Sequence, residues 1–158
     1  MGKEIERKFL VVGESWRSSV QRRERFEQGY LAITADCAVR VRIAGGEAAL
    51  NIKNATLDIE RHEYQYPVPL TDAREILTLL CAGRSLSKIR HWVRHEGDLW
   101  EVDVFEGANR GLVLAELEIE HREQRFTIPG WVGEEVSGDP RYLNSYLAVT
   151  PFNTWDRD

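Results

Sequence analysis

Charged side chains of one sign recur two residues apart at several places in this 158-residue chain. In an extended strand such residues share one face and stand roughly 6.5 Å apart. Two carboxylates at this spacing can share Mg²⁺ or Mn²⁺, which prefer oxygen ligands. Two Arg or Lys side chains can neutralise neighbouring phosphate oxygens. The groups are Glu4–Glu6, Arg40–Arg42, Lys88–Arg90, Glu101–Asp103 and Glu116–Glu118–Glu120. Their spacing suits one polyphosphate or one metal ion.

For any single strand, a solvated outer face explains such alternation more often than a binding site does. The repetition of the pattern on one strand after another favours a site. Lys53 and Glu63 extend the set. We therefore predict that these charges face a common interior, and exposure of the whole set on the outer surface would exclude the chemistry.

The elements that must position these charges are mostly strands. Period-two segments are separated by Gly, Asp or Pro. Strands are predicted at residues 3–12, 28–34, 38–43, 47–53, 61–68, 87–95, 99–105 and 113–121, and helices at 71–81 and 141–148. Asp139–Pro140 is a typical cap and first position of the second helix. The class is β-rich α+β, in a single domain over residues 1–158.

A barrel reconciles polar and apolar strand faces. Closed strands would turn the charged faces into a water-filled interior, and about eight strands leave room for one small ligand. The opposite faces, rich in Val, Ile, Leu and Phe, would then need cover from helices and loops.

Composition excludes several classes of protein. The net charge of −5 argues against a general nucleic-acid binder. Cys37 and Cys81 have no zinc-type spacing. The charged amino-terminal segment lacks the apolar stretch of a signal peptide. Because no apolar run approaches 20 residues, no membrane span is expected, and we predict a cytoplasmic protein.

The motifs of this chain follow one another in an order that resembles that of a known family. The segment Glu4-Ile5-Glu6-Arg7-Lys8 matches an ExExK signature, and further motifs follow over nearly the whole chain. They are Gln28-Gly29-Tyr30-Leu31, Arg40-x-Arg42, Lys53, Glu63, Lys88-x-Arg90, Glu101-x-Asp103-x-Phe105, Glu116-x-Glu118, Gly133-Glu134-Glu135-Val136 and Tyr142-x-Asn144. In this order they resemble the CYTH superfamily, the triphosphate tunnel metalloenzymes.

The resemblance implies a closed eight-stranded antiparallel tunnel with flanking helices and a carboxy-terminal helix. It implies hydrolysis of a triphosphate, most simply inorganic tripolyphosphate, with Mg²⁺ or Mn²⁺, two per site. The implied metal ligands are Glu4, Glu6, Glu116 and Glu118. The implied phosphate-binding cations are Lys8, Arg40, Arg42, Lys53, Lys88 and Arg90. Glu63, Asp103 and Lys88 are the implied catalytic residues.

Alternatives stay open on the sequence alone. A class IV adenylate cyclase or a thiamine triphosphatase would need the same motifs. Gln65 stands where related sequences often have Glu, and Ser145 where they often have Lys. These two departures motivate a binding module for polyphosphate or nucleotides without turnover. The small-molecule triphosphate is the expected partner, and a homodimer is an open alternative to a monomer.

Overall fold

The computed structural model describes residues 2–156 as one antiparallel sheet that curves into a nearly closed barrel. Its strands are β1 (Glu4–Val11), β2 (Val20–Ile33), β3 (Cys37–Ala44), β4 (Glu47–Asn54), β5 (Glu60–Arg61), β6 (Glu63–Val68), β7 (Ser85–His95), β8 (Asp98–Phe105), β9 (Val113–Ile119) and β10 (Val132–Glu135). The helices are α1 (Leu70–Leu80) and α2 (Asn144–Val149), with short 3₁₀ turns at Ser15–Ser19, Gly107–Asn109, Pro140–Tyr142 and Phe152–Thr154.

The strand order is β10–β1–β9–β8–β7–β2–β3–β4–β6. Strand β1 pairs with β9 along one edge. Along its other edge it pairs with β10 at Phe9 and with β5 at Glu4 and Ile5. One seam, the junction between β6 and β1, interrupts the barrel, and the Glu63 N–H donates across it to the Gly2 carbonyl at 3.2 Å. The β-rich antiparallel barrel is confirmed, with nine strands along the path and the short β5 instead of eight.

Two strands account for the difference from the predicted count and lengths. The prediction began β2 at residue 28, whereas the strand begins at Val20 and pairs with β7 from there. Residues 22–25 are all charged, so this part of the strand lacks the alternation of apolar and polar residues that predicts a strand. The short β10 contains Gly133 and has no apolar period, so it carries no strand signal.

The helices follow their sequence signals with one interruption. Helix α1 agrees with the predicted residues 71–81 to within one residue at each end. The second helix was predicted at residues 141–148, but Leu143 is extended (φ −68°, ψ 138°) and separates the 3₁₀ turn from α2. Asp139 caps that turn by accepting the Arg141 N–H. Among the described helices, none is long and apolar enough to cross a bilayer.

Apolar clusters cover the outer faces of the barrel. One cluster joins β1, β8 and β9 to Trp16, Trp100 and Trp131. A second packs α2 on Tyr30, Leu86, Phe105 and Leu114, and a third packs α1 on β3. Most of the buried apolar side chains therefore lie outside the barrel, and the interior holds the charged set.

Helix α1 approaches β2 so closely that the strand needs a glycine there. A Cβ at Gly29 would lie 2.7 Å from the Cys81 Cβ and 2.8 Å from the Leu77 Cδ2. We expect Gly29→Ala to lower the free energy of unfolding by about 1–3 kcal/mol through overpacking. Gly130→Ala is the matched control, because its Cβ would meet nothing within 4 Å. Urea unfolding measures both, and equal stabilities would contradict this packing.

Candidate active site

A cavity of about 1010 Å³ lies inside the barrel. Every site residue predicted from the sequence lines it, except Asp103. The lining members are Glu4, Glu6, Lys8, Arg40, Arg42, Lys53, Glu63, Lys88, Arg90, Glu116 and Glu118. Lys8, Arg40, Lys88, Arg90 and Glu116 are buried among them. The charges predicted to converge do share one interior.

Two arginines of β3 face the cavity without a salt bridge to any described residue. Neither Arg40 nor Arg42 forms an ion pair with any carboxylate of residues 2–156. The Arg40 Nε is buried and has no hydrogen-bond partner in the described chain. Burial first, and then the charges of Arg40 and Arg90, lower the pKa of Arg42 to about 10. Desolvated cations that repel one another in this way favour a bound anion.

Three carboxylates gather on another part of the wall. Oxygen atoms of Glu6, Glu101 and Glu116 lie within 4.8 Å of one another. Burial, and then the charges of Glu116 and Glu4, raise the pKa of Glu6 well above its usual range. Burial also opposes the charge on Glu116, yet Lys8, Arg90 and Lys88 outweigh it and hold its pKa far below normal. An oxygen-only donor set of crowded carboxylates suits a hard divalent cation, whose charge would offset their mutual repulsion.

A smaller group surrounds Lys53. Its Nζ lies 3.5 Å from a Glu4 oxygen and 3.7 Å from a Glu63 oxygen. Although burial favours neutral Glu63, Lys53 and a hydrogen bond with Glu4 lower its pKa, whereas burial raises the pKa of Glu4. Asn51 donates to Glu63 and Gln65. Glu63 therefore stays charged and is fixed by its neighbours.

Asp103 lies behind the cavity wall and is fully buried. Its two oxygens accept from the Arg90 guanidinium at 2.8 and 2.9 Å, and the Lys88 Nζ lies 2.7 Å from one of them. Burial opposes its charge, but Arg90 and Lys88 lower the pKa of Asp103. Because both oxygens are occupied by cations, we propose that Asp103 positions Lys88 and Arg90 and that a metal ion is held elsewhere.

The carboxy-terminal segment reaches the same cations. The Asn144 Oδ1 accepts from the Lys88 Nζ at 2.9 Å and from the Gln28 Nε2 at 3.2 Å. The Lys8 Nζ donates to the Tyr142 carbonyl at 2.9 Å. The segment at residues 142–144 is thus hydrogen-bonded to side chains of β1, β2 and β7.

The spacing analysis placed Glu101 and Asp103 together on a polar face, but the implied metal ligands did not include Glu101. Strand register gives these two residues different surroundings. Glu101 stands opposite Glu116 on β9, whereas Asp103 stands opposite Leu114. Glu118 pairs in register with Glu6 and is exposed at the edge of the cavity, outside the three-carboxylate group. The register, which no local pattern specifies, makes this selection.

Comparison with known proteins settles the family. The CYTH domain family model matches residues 2–143. The chain belongs to the CYTH family. This CYTH chain is 43% identical over 155 residues to an inorganic triphosphatase of Acetivibrio thermocellus, which covers 98% of this chain and 99% of the relative. It is 36% identical over 151 residues to an inorganic triphosphatase of Nitrosomonas europaea, with 93% and 97% covered.

A solved structure shares the fold of this CYTH chain. The crystal structure of an inorganic triphosphatase superposes with a TM-score of 0.67 at 36% identity, covering 92% of this chain and 97% of that one. The barrel therefore belongs to a fold already seen in a protein described as an inorganic triphosphatase.

The Lys88 ammonium gives the CYTH cavity a pH dependence. Burial lowers the pKa of Lys88 to about 8, and the positive charge of Arg90 adds to this effect. The negative charge of Asp103 acts in the opposite direction. The cation is present below this pH and is lost as the pH rises through it, so tripolyphosphate affinity without metal should fall above pH 8. Lys88→Arg should keep its affinity to higher pH, because guanidinium stays charged. Calorimetry from pH 6.5 to 9.5 measures both, and identical profiles would contradict the assignment.

Proposed function

We propose that this chain is a divalent-metal-dependent triphosphatase that hydrolyses inorganic tripolyphosphate inside the barrel. One observation carries the proposal. Three carboxylates within 4.8 Å of one another share a cavity with Arg40 and Arg42, which form no ion pair with a carboxylate of residues 2–156. Carboxylates alone would suit a metal and cations alone an anion. Both together suit a metal–polyphosphate complex.

The basic residues would hold the substrate. Arg40 and Arg42 offer planar donors to phosphate oxygens. Lys8 and Lys88 also face the cavity, and each already gives one hydrogen bond to the segment at residues 142–144. Their positive charges would counter the negative charge on the transferring phosphoryl group, which is the main contribution of proteins that catalyse this reaction. Arg90, fixed by Asp103, and Lys53 complete the set of predicted cations.

The carboxylates would hold the metal. Glu6, Glu101 and Glu116 form the group that fits it, and Glu4 and Glu118 border this group as further predicted ligands. When bound, Mg²⁺ or Mn²⁺ would neutralise phosphate charge and lower the pKa of a coordinated water. Two ions per site remain our proposed stoichiometry.

Glu63 is the residue we propose to orient the attacking water. Its charged form, stabilised by Lys53, accepts a hydrogen bond, and its side chain lines the cavity. The water oxygen attacks the terminal phosphorus and the bond to the bridging oxygen breaks. Phosphate and diphosphate leave, and the water proton passes to solvent.

Phosphate release is the direct test. The purified chain is incubated with tripolyphosphate, ATP or thiamine triphosphate, each with Mg²⁺, with Mn²⁺ and with a chelator. We expect metal-dependent release of one phosphate per tripolyphosphate, at a higher kcat/KM than for the two organic triphosphates. The relatives named as inorganic triphosphatases support this order.

Each of the other outcomes would support an alternative function. Cyclic AMP from ATP would replace hydrolysis by an adenylate cyclase activity, and preference for thiamine triphosphate would change the substrate. Tight calorimetric binding without turnover would indicate a binding module, as Gln65 and Ser145 suggested. A cytoplasmic location and the assembly state stay predictions from the sequence.

A further inference from the structure

The aromatic ring of Phe26 packs against the guanidinium groups of Arg42 and Arg90, which both line the cavity. Phe26 is on the same face of β2 as Gln28, is buried, and does not itself line the cavity. Its ring centroid lies 5.0 Å from the Arg42 Cζ and 5.0 Å from the Arg90 Cζ. Both distances are within the range of a cation–π interaction.

We propose that Phe26 is a positioning residue that supports Arg42 for phosphate binding through the face of its ring. The inference rests on the proposed triphosphatase function and adds a determinant of substrate affinity. Phe26 acts through Arg42, which lines the cavity, and touches no substrate.

Arg42 and Arg90 both contact the Phe26 ring but differ in their carboxylate partners. Arg90 is held by Asp103, with Glu101 and Glu116 also within ion-pair distance. Its charge is therefore largely matched by the protein. Arg42 pairs with no carboxylate in the described chain, and its guanidinium has the Phe26 ring as its aromatic support. A carboxylate would hold the guanidinium but cancel its charge, whereas a ring holds it through the quadrupole and leaves the charge for the ligand.

The ring is itself held in place. Trp92 packs on Phe26 with ring centroids 6.2 Å apart in an edge-to-face arrangement. The Arg22 guanidinium lies over Trp92 at 3.9 Å from the ring centroid. Cross-strand pairing places Phe26 beside Lys88 on β7 and Ala44 on β3. This fixed ring reduces the freedom of the Arg42 side chain before substrate arrives.

Progressive fluorination of the ring tests the proposal, because it weakens the quadrupole with little change of shape. Phe26 is replaced by 4-fluoro-, 3,5-difluoro- and 3,4,5-trifluorophenylalanine. We expect the KM for tripolyphosphate at saturating Mg²⁺ to rise stepwise, by about fivefold to thirtyfold at three fluorines. The melting temperature should fall by no more than about 8 °C along the series, because only this contact is weakened. A purely structural role for Phe26 would change neither KM nor affinity in this order.

Phe126 provides the matched control. Its ring also faces a guanidinium, that of Arg7 at 5.3 Å, but Arg7 pairs with Glu135 and does not line the cavity. The same series at Phe126 should leave KM unchanged.

A flat KM along the Phe26 series in an active protein would overturn the inference. Should the wild-type protein release no phosphate, the proposed function fails by itself. Calorimetric affinity for tripolyphosphate then decides the inference: a stepwise loss supports it and a constant affinity overturns it.

Discussion

Glu116→Gln should lower kcat for tripolyphosphate by on the order of 100-fold or more. Loss of residues that merely support metal ligands costs 10- to 100-fold, and Glu116 is itself a member of the three-carboxylate group. Although burial opposes its charge, Lys8, Arg90 and Lys88 hold the pKa of Glu116 far below normal, which favours the anion that a cation would bind. The change is nearly isosteric and removes one negative charge.

Two measurements separate loss of metal binding from loss of structure. Titration calorimetry should show weaker Mn²⁺ binding by the Glu116 variant. Tripolyphosphate binding without metal should be equal or tighter, because Lys8 and Arg90 each lose a carboxylate partner. Glu75→Gln, an exposed change on α1, is the control and should retain wild-type rates. Wild-type turnover by the Glu116 variant would show that the metal is held by other residues.

Arg40→Ala should raise the KM for tripolyphosphate by roughly tenfold to 150-fold. A hydrogen bond to a charged group contributes about 1.5–3 kcal/mol, and this range of KM is its equivalent. The Arg40 Nε is buried without a partner, so an anion would supply the missing acceptor. Because no ion pair involves Arg40 among residues 2–156, its removal breaks no salt bridge of the described chain.

The control for Arg40 is Arg74→Ala, which removes the same charge from an exposed position on α1. Its KM should match wild type at ordinary ionic strength. Arg40→Lys should fall between the two, since lysine restores the charge but not the planar donors. An unchanged KM for Arg40→Ala would place the phosphates away from β3.

Side-chain parity explains why so much of the cavity could be predicted. Arg40 and Arg42 alternate with Val41, which is fully buried against α1, so the strand itself separates polar from apolar faces. The same alternation turns Glu116 inward between Ala115 and Leu117, both in the outer cluster. Local spacing carries this information completely.

Contacts set by the packing of distant segments could not be predicted. Asn144 meets Lys88 across 56 residues of sequence, and only the closure of the barrel by α2 joins them. The placement of Glu101 in the three-carboxylate group and of Asp103 behind the cavity wall depends on the register of β8 against β9. Phe26 is an apolar residue on a polar face, and a pattern-based reading assigns it to no site.

The seam has a further consequence for the behaviour of the molecule in concentrated solution. There β6 ends the sheet, so part of its backbone has no continuous partner strand. Such edges recruit strands from neighbouring molecules and begin aggregates. Pro67, placed within β6, has no N–H to offer an incoming strand. Pro67 thus limits the addition of a foreign strand at the β6 end of the described sheet.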